Sequence, residues 1–299
     1  MGHDEPEEAP LFPTQVAPLQ ACWSIGLYHG DSPLALTPAT AGAPILTAEH
    51  VTDVVADFVA DPFCHVVGRT HVLFFEIWNR ALQRGEIACA SSRDLTSWRY
   101  DGVVLRDAVH LSYPCVFAHA SDVFMIPETR EAGAVRLYRA EAFPHRWRFV
   151  CDLVHGDFAD ATPFHHEGRW WLFAHRGLDE LRLYSARELD GPYEEHPASP
   201  IVAGNRRTSR PAGRVINYRG RVLRFAQDAW PHYGSRVRAL EVDHLSTRGY
   251  AEHELAESPI LEGSGSGWNA LGMHHVELLP QPDGRWSAIV DGYTPAGFQ

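Results

Sequence analysis

The stretch ADPFCHVVGRTHVLFFE, residues 60–76, decides the fold because its plan recurs along the chain. It has a proline-marked start, an apolar run, a turn at Gly68 and a second apolar run that ends in a polar residue. Four further segments repeat this plan, and they begin at Ser112, Asp160, Ser209 and Met273. Runs rich in β-branched and aromatic residues on both sides of a turn predict a β-hairpin. The period of about 50 residues is typical of propeller blades.

Each of the first four hairpins is followed by a second pair of strand-like runs, which gives four strands per unit. The fifth unit runs out of chain soon after Asp291, and the N-terminal run WSIGLYHGDSPLAL, residues 23–36, resembles its missing outer half. We therefore predict an all-β, five-bladed β-propeller with four antiparallel strands per blade, in which N- and C-terminal strands share one blade and close the ring. A β-sandwich or two small β domains would not explain the register of the five hairpins.

Composition narrows the possible chemistry. All 26 basic residues are arginines, so mechanisms that need a Schiff-base, cofactor-anchoring or P-loop lysine are excluded. The 38 acidic residues give a formal charge of −12, which argues against a nucleic-acid partner. The five cysteines form no C-x-x-C pair, so no zinc site is predicted. We expect a small-molecule or glycan substrate and no cofactor, and the pattern does not predict an oligomeric state.

The N-terminal residues bear on domain organisation and location. The run MGHDEPEEAP, residues 1–10, is acidic and has neither the basic nor the apolar region of a secretory signal. No window approaches the roughly 18 apolar residues of a membrane span. We therefore expect a cytoplasmic protein, with residues 1–17 as a disordered or extended arm and residues 18–299 as a single propeller domain.

Hairpin geometry predicts which residues meet at the central channel. The first strand of each hairpin starts at one face of the propeller and the second returns to it, so the residues at these two positions converge. The predicted pairs are Asp61 with Glu76, Tyr113 with Glu128, Asp160 with His175, Arg210 with Gln227 and Asp228, and His274 or His275 with Asp291. Carboxyl groups crowded around a narrow channel can be held in different protonation states.

This combination suits the hydrolysis of a glycosidic bond, which needs one carboxylate to activate water and one acid to protonate the leaving oxygen. Aromatic rings near the same face could stack on sugar rings. The candidates are Trp78, Tyr113, Trp230, Tyr233 and Trp268. Asn269, which ends the glycine-rich run GSGSGWN (residues 263–269), is assigned with them to substrate binding.

Several motifs also resemble a known family. ADPF at residues 60–63, followed by a hairpin, resembles the first blade of the glycoside hydrolase family 43 superfamily of five-bladed propellers, whose relatives include families 32, 68, 117 and 130. The runs SYPCVFAHASDVFMIPE, DATPFHHEGRWWLFA, SRPAGR and FAQD are similar to the N-terminal propeller domain of the glucosamine inositolphosphorylceramide transferase family, from about residue 23 to residue 291. This resemblance implies a glycoside hydrolase-like, carbohydrate-active enzyme.

The resemblance to family 43 implies roles for single residues. It places the catalytic base on Asp61 and the aspartate that tunes the acid on Asp160. The general-acid glutamate of that family falls at Ser209-Arg210-Pro211 in this chain, and an arginine does not give up a proton at neutral pH. The remaining candidates for the acid are Glu128 and the pair His274 and His275, the histidines by resemblance to family 117. Glu76 is the next candidate.

Three functions stay open. The first is a hydrolase with Asp61 as general base. The second is a lyase, cyclase or isomerase of a sugar-like metabolite, and the third is a carbohydrate-binding propeller without turnover. Arg210 offers a planar fork that suits the carboxylate or phosphate of an anionic sugar, and an internal ion pair with Asp160 or Asp228 is the alternative. The channel could also hold a structural cation or a water molecule.

Overall fold

A computed structural model describes residues 21–39 and 42–295 and confirms the predicted five-bladed β-propeller. The arm predicted for residues 1–17 lies outside the described residues. In chain order the strands are β1 (Ala21–Ser32), β2 (Ala35–Pro38), β3 (Ala56–Val67), β4 (Thr70–Asn79), β5 (Arg84–Ser92), β6 (Arg99–Leu105), β7 (Ser112–His119), β8 (Asp122–Glu128), β9 (Ala134–Ala142), β10 (Arg146–His155), β11 (Phe158–His166), β12 (Arg169–Arg176), β13 (Glu180–Ala186), β14 (Glu194–Glu195), β15 (Arg210–Pro211), β16 (Ile216–Tyr218), β17 (Arg221–Asp228), β18 (Arg236–Leu245), β19 (Tyr250–Glu254), β20 (Leu261–Glu262), β21 (Val276–Pro280) and β22 (Trp286–Pro295). Short 3₁₀ turns cover Ala48–His50, Arg130–Ala132 and Gly267–Asn269.

The strands form five antiparallel sheets, one per blade. From the channel outward, blade one is β3-β4-β5-β6, blade two is β7-β8-β9-β10 and blade three is β11-β12-β13-β14. Blade four is β15-β17-β18-β19, with β16 paired to β17 and β20 paired to β18. Blade five is β21-β22-β1-β2, so the N-terminal strand pairs with the C-terminal one as predicted. This shared blade closes the ring.

Apolar side chains pack between neighbouring blades, which is where the alternating strand pattern sends them. Each blade-to-blade interface has its own hydrophobic cluster among the described residues. Phe63 and Tyr113 meet between blades one and two, for example, and Phe225 and Val276 lie together between blades four and five. The polar ends of the inner strands are left at the channel, where they form the candidate site.

A β-bulge recurs near the start of the inner strand in blades one, two and three. At its centre are Asp61, Tyr113 and Asp160, with φ angles of 54°, 44° and 49°, and the strand register shifts at each of these positions. The residue directly opposite Glu76 is therefore Ala60, one before the predicted Asp61. A bulge inserts one extra residue and redirects a side chain. It turns the backbone N–H of these three residues toward an acid of the preceding blade.

The channel is filled below the bulges. The hydroxyl of Tyr113 accepts the N–H of Gly213 (2.8 Å) and lies 2.9 Å from the hydroxyl of Thr162. Arg214 crosses the channel to Glu277, with Nε 2.9 Å from Oε1, and the backbone N–H of Cys64 donates to the same carboxylate at 2.9 Å. These contacts make the upper part of the channel a pocket with a floor.

Gly213 is expected to be intolerant of any side chain. Its φ is +125°, and a Cβ there would lie 2.0 Å from the carbonyl oxygen of Val276. We expect Gly213→Ala to lower the free energy of unfolding in urea by about 3 kcal/mol. Gly220→Ala is the matched control, because Gly220 also has a positive φ (+81°) but no atom lies within 4 Å of its added Cβ. That change should cost only about 1–2 kcal/mol. Equal losses of stability in the two variants would contradict the close approach of Gly213 to Val276.

Candidate active site

The candidate site is a cavity of about 350 Å³ at the end of the channel where the inner strands begin. All five blades contribute to it, since it is lined by Asp61 and Glu76, Ser112 and Glu128, His175, Arg210, and His274. A more open depression of about 630 Å³ lies elsewhere, against Thr47–Asp57 and Arg80, and contains none of the predicted site residues. The channel cavity is therefore the candidate site.

Asp61, His274 and Asp291 form the first charged cluster, between blades five and one. The Nδ1 atom of His274 lies 2.8 Å from Asp291 Oδ1, and its Nε2 lies 3.9 Å from Asp61 Oδ1. The backbone N–H of Asp61 donates to Asp291 Oδ2 at 3.0 Å, and the N–H of Tyr113 donates to Asp61 Oδ2 at 3.2 Å. Neighbouring blades thus hold the Asp61 carboxyl group in place.

The first cluster contains groups with opposed proton affinities. Burial, reinforced by the Asp160 and Asp291 carboxylates and opposed by His274, raises the pKa of Asp61 to about 7. For Asp291 burial acts to raise the pKa, but the charge and hydrogen bond of His274, with His275 and the N–H of Asp61, together hold it below its ordinary value. For His274 burial acts to lower the pKa, but the charge and hydrogen bond of Asp291, with Asp61, together raise it. Near neutral pH Asp291 is ionised and Asp61 is poised between its two forms.

Asp160, Arg210 and Glu128 form the second cluster, across blades two to four. The Arg210 guanidinium forms an ion pair with Asp160, and its Nη2 atom lies 3.6 Å from Glu128 Oε2. The backbone N–H of Asp160 donates to Glu128 at 3.3 Å. Burial acts to raise the pKa of Asp160, but the charge and hydrogen bond of Arg210, with the hydrogen bond to Glu128, together hold it below its ordinary value. Burial and the Asp160 carboxylate raise the pKa of Glu128 well above its ordinary range.

Glu76 faces the pocket between these clusters and is nearly buried. Burial, followed by the charge of Asp61, raises the pKa of Glu76 well above its ordinary value. Its nearest basic neighbour is His110, with Nε2 3.7 Å from Oε1, and burial lowers the pKa of that ring. His175 is also held neutral, because burial and Arg210 lower its pKa to about 4. Glu76 is therefore a buried carboxyl group with a raised pKa that faces the pocket.

Among the residues that were predicted for the site, Asp228, Gln227, Asn269 and Trp268 do not line the cavity. The carboxylate of Asp228 is fully buried against Arg238, whose Nε lies at 2.8 Å. Gln227 is buried beside it, opposite Arg210. Asn269 donates to the hydroxyl of Tyr28 at 3.0 Å, and the ring of Trp268 packs against Gly26 and Gly292 of blade five.

The two adjacent histidines directly precede β21 and face different surroundings, as was expected for neighbours in extended backbone. The ring of His274 reaches the cavity and stacks on Trp23 with ring centroids 4.0 Å apart. His275 is fully buried against Phe63 and Tyr113, and burial lowers its pKa to about 4. Only His274 is therefore placed to touch a ligand.

Most of the aromatic side of the cavity was not predicted from the sequence. Its aromatic wall consists of Trp23, Phe58, Trp78 and Tyr293. Trp78 was considered as a ring that could stack on sugars, but the other three were not. Trp78 and Tyr293 lie two residues beyond Glu76 and Asp291 on their strands, so the two-residue alternation of side chains could have found them. The cationic residues Arg130 and Arg206 also line the cavity and were also missed.

Asp61, His274 and Asp291 are also the residues best placed to hold a cation near the channel axis. Each offers one ligand atom, and these atoms lie within 4.8 Å of one another. Carboxylate and imidazole atoms at this spacing fit a small divalent ion. In this structure His274 lies between the two carboxyl groups, with Nε2 3.9 Å from Asp61 Oδ1 and Nδ1 2.8 Å from Asp291 Oδ1.

Comparison with known proteins gives a clear family match. The family model described as "Glucosamine inositolphosphorylceramide transferase 1, N-terminal" matches residues 18–293. The chain is 34% identical over 300 residues to glucosamine inositolphosphorylceramide transferase 1 of Arabidopsis thaliana, which covers 91% of this chain and 39% of that protein. The chain spans about two fifths of the length of the curated relatives it matches.

Solved structures share the fold at low sequence identity. The family 117 glycoside hydrolase Zg3597 of Zobellia galactanivorans superposes with a TM-score of 0.52 at 14% identity and covers 90% of both chains. The catalytic domain of a family 62 α-L-arabinofuranosidase from Coprinopsis cinerea gives a TM-score of 0.59 at 12% identity, over 92% of this chain and 98% of that one. These similarities support a glycoside hydrolase-like fold.

The relatives correct the expected location. A cytoplasmic protein was expected from the N-terminal residues, but this is wrong, because the matched relatives are named for a transferase of an inositolphosphorylceramide lipid and indicate a non-cytoplasmic location. The expectation depended on residues outside the described ranges and on a chain that covers only part of its relatives. Across residues 21–39 and 42–295, no helix is long and apolar enough to cross a membrane.

Proposed function

The chain belongs to the glucosamine inositolphosphorylceramide transferase 1, N-terminal, family, and from this premise we propose that its channel pocket is the active site of a carbohydrate-active enzyme. The pocket binds a sugar or glycan, and Asp61 acts as general base on a glycosidic bond. The proposal depends on the residues of the pocket and not on the activity of the longer relatives.

One observation carries this proposal: two carboxyl groups that face the same cavity differ in how tightly they hold a proton. The pKa of Asp61 is about 7, so its carboxylate is available near neutral pH. Burial and the charge of Asp61 raise the pKa of Glu76 well above its ordinary value, so this group holds its proton more tightly than an ordinary glutamate. Hydrolysis of a glycosidic bond needs one carboxylate and one carboxylic acid in this relation.

Glu76 is better placed than Glu128 to donate a proton. Burial raises the pKa of both groups, but Glu128 lies between the Arg210 guanidinium and the backbone N–H of Asp160. Within the described residues the Glu76 carboxyl group makes no hydrogen bond, and its nearest basic neighbour is the His110 ring, whose pKa is lowered by burial. His274, whose own pKa is raised, lies beside Asp61 and opposes the effect of burial on the pKa of that carboxyl group.

The aromatic wall supports a sugar as the ligand. Trp23 and Tyr293 lie side by side with ring centroids 4.4 Å apart, and Phe58 and Trp78 stack at 5.8 Å. Flat apolar rings beside hydrogen-bonding groups suit a sugar, which presents C–H faces and hydroxyl edges. The acids lie along one edge of this wall.

A pocket without hydrolysis is the second candidate, and Arg210 favours it. At the position where the resemblance to family 43 implies a general acid, the fourth blade supplies a guanidinium neutralised by Asp160. A lyase, cyclase or isomerase, or a binding module without turnover, would not need a donor there.

Product analysis in heavy-oxygen water separates these functions. We would incubate the chain with a panel of aryl and natural glycosides and follow the products by mass spectrometry. Label in the released sugar supports hydrolysis, and rearranged product without label supports the non-hydrolytic enzyme. Unchanged glycoside together with measurable binding would reduce the pocket to a binding site.

The acid role predicts a dependence on the leaving group. Glu76→Gln should lower kcat/KM by about 10²-fold on alkyl glycosides, whose leaving oxygen must be protonated. The loss should be less than about tenfold on dinitrophenyl glycosides, which depart as stable anions. Glu128→Gln is the comparison and should affect both substrates alike. A selective loss in Glu128→Gln instead would move the acid role to that residue.

A further inference from the structure

Arg206 differs from the other arginines of the pocket. Three arginines line the cavity, and two of them are neutralised, Arg130 by Asp157 and Arg210 by Asp160. Arg206 forms no ion pair in the described part of the chain, and its buried Nε atom has no hydrogen-bond partner there. A half-buried guanidinium without an anionic partner carries a desolvation cost that a bound anion would offset.

The loop that carries Arg206 is anchored at both ends. The carbonyl oxygen of Arg206 accepts the N–H of Ala229 at 3.0 Å. Two residues later the carbonyl oxygen of Thr208 accepts Nη1 of the buried Arg224 at 2.9 Å. These two hydrogen bonds fix the backbone that carries the guanidinium, and a fixed backbone lowers the entropic cost of binding a ligand there.

The aromatic wall and the arginines of blade four occupy neighbouring parts of the cavity. The wall belongs to blades five and one, whereas Arg206 and Arg210 belong to blade four, and Arg210 Cζ lies 5.2 Å from the ring centroid of Tyr233, which meets Trp23 edge-on at 6.2 Å. Burial raises the pKa of Glu76 and of Glu128, which weakens the repulsion of an anion by these two acids. A ligand that fits both parts has a sugar ring at one end and an anionic group at the other.

We propose that Arg206 binds the oxyanion, a phosphate or a carboxylate, of a sugar whose ring lies against the aromatic wall. The planar fork of a guanidinium pairs with either group through two parallel hydrogen bonds. Arg210 was the expected clamp, but its pairing with Asp160 assigns that role to Arg206. The inference rests on the proposed function in that it takes the pocket to bind a sugar.

Calorimetry on matched ligands tests the inference. The probes are glucose 1-phosphate, glucuronate and glucose, a second set of inositol 1-phosphate and inositol, and inorganic phosphate. We expect the anionic sugars to bind the wild-type chain about tenfold more tightly than the neutral ones, with a preference that shrinks as salt is added. The anionic group, phosphate or carboxylate, that increases the affinity more over the neutral sugar is the preferred oxyanion.

Arg206→Gln should abolish this preference, so that anionic and neutral sugars bind the variant with similar affinity. Arg207→Gln is the matched control, since Arg207 is the exposed neighbour and does not line the cavity. Circular dichroism checks that both variants fold. An anionic preference that survives in Arg206→Gln, or a wild-type chain that prefers neutral sugars, would overturn the inference. Phosphate bound through Arg206 while no sugar binds would support the anion site and refute the proposed function.

Discussion

Asp61→Asn is expected to lower kcat/KM by about 10²–10⁴-fold on any glycoside that the wild-type chain cleaves. The amide has nearly the shape of the carboxylate and can still accept the N–H of Tyr113, but it cannot take a proton from water. Asp57→Asn is the matched control, because Asp57 lies on the same strand and its carboxylate binds Arg80 outside the cavity. Steady-state kinetics on both variants, with circular dichroism to confirm folding, measure the effect.

The pH profile gives the same prediction an independent readout. Asp61 is ionised only above its pKa of about 7, so kcat/KM of the wild-type chain should rise about tenfold per pH unit below pH 7 and level off above it. The residual activity of Asp61→Asn should lack this rise. Full turnover in the variant, or an unchanged acidic limb, would show that another group is the base.

Arg210→Met is expected to destabilise the fold by about 3–5 kcal/mol at neutral pH. It leaves the Asp160 carboxylate, only 3% exposed, without its cation. Urea unfolding followed by tryptophan fluorescence measures the loss. Arg176→Met is the control, because Arg176 is exposed at the end of β12 and should change stability by less than about 0.5 kcal/mol.

The pH dependence of this loss has a definite sign. Arg210 holds the pKa of Asp160 below its ordinary value, so the ion pair contributes stability above the unfolded-state pKa of about 3.9 and loses it as the pH falls through the folded-state pKa. The difference between Arg210→Met and wild type should therefore shrink as the pH falls below about 4. Adding Asp160→Asn should restore part of the stability at neutral pH. A loss independent of pH would indicate that packing, and not charge, explains it.

The repeat of hairpins was enough to predict the fold, because each blade buries its apolar faces by the same alternation. The register at the channel was not predictable to the residue. Asp61 and Tyr113 have a left-handed backbone conformation, but in the sequence they look like residues at the start of a strand. The bulge is visible only in the strand pairing of the folded sheet. The predicted register was wrong by only one residue, so the acids still lie at the channel.

The site was predicted in part. Glu76, Glu128, Arg210 and His274 line the cavity as the hairpin geometry indicated. Asp228 was included because it ends a hairpin, but Arg238 on the next strand neutralises it, and such pairing across strands depends on register. Arg206 was missed because it lies in an irregular loop, where no periodicity indicates the direction of a side chain.

Strand β1 does two things at once. It pairs with β22 to close the ring, and its Trp23 lies directly opposite Tyr293 in the aromatic wall. A ligand that contacts both rings bridges β1 and β22, so part of its binding free energy stabilises the pairing of these two strands. Occupancy of the pocket by such a ligand is therefore thermodynamically coupled to closure of the ring.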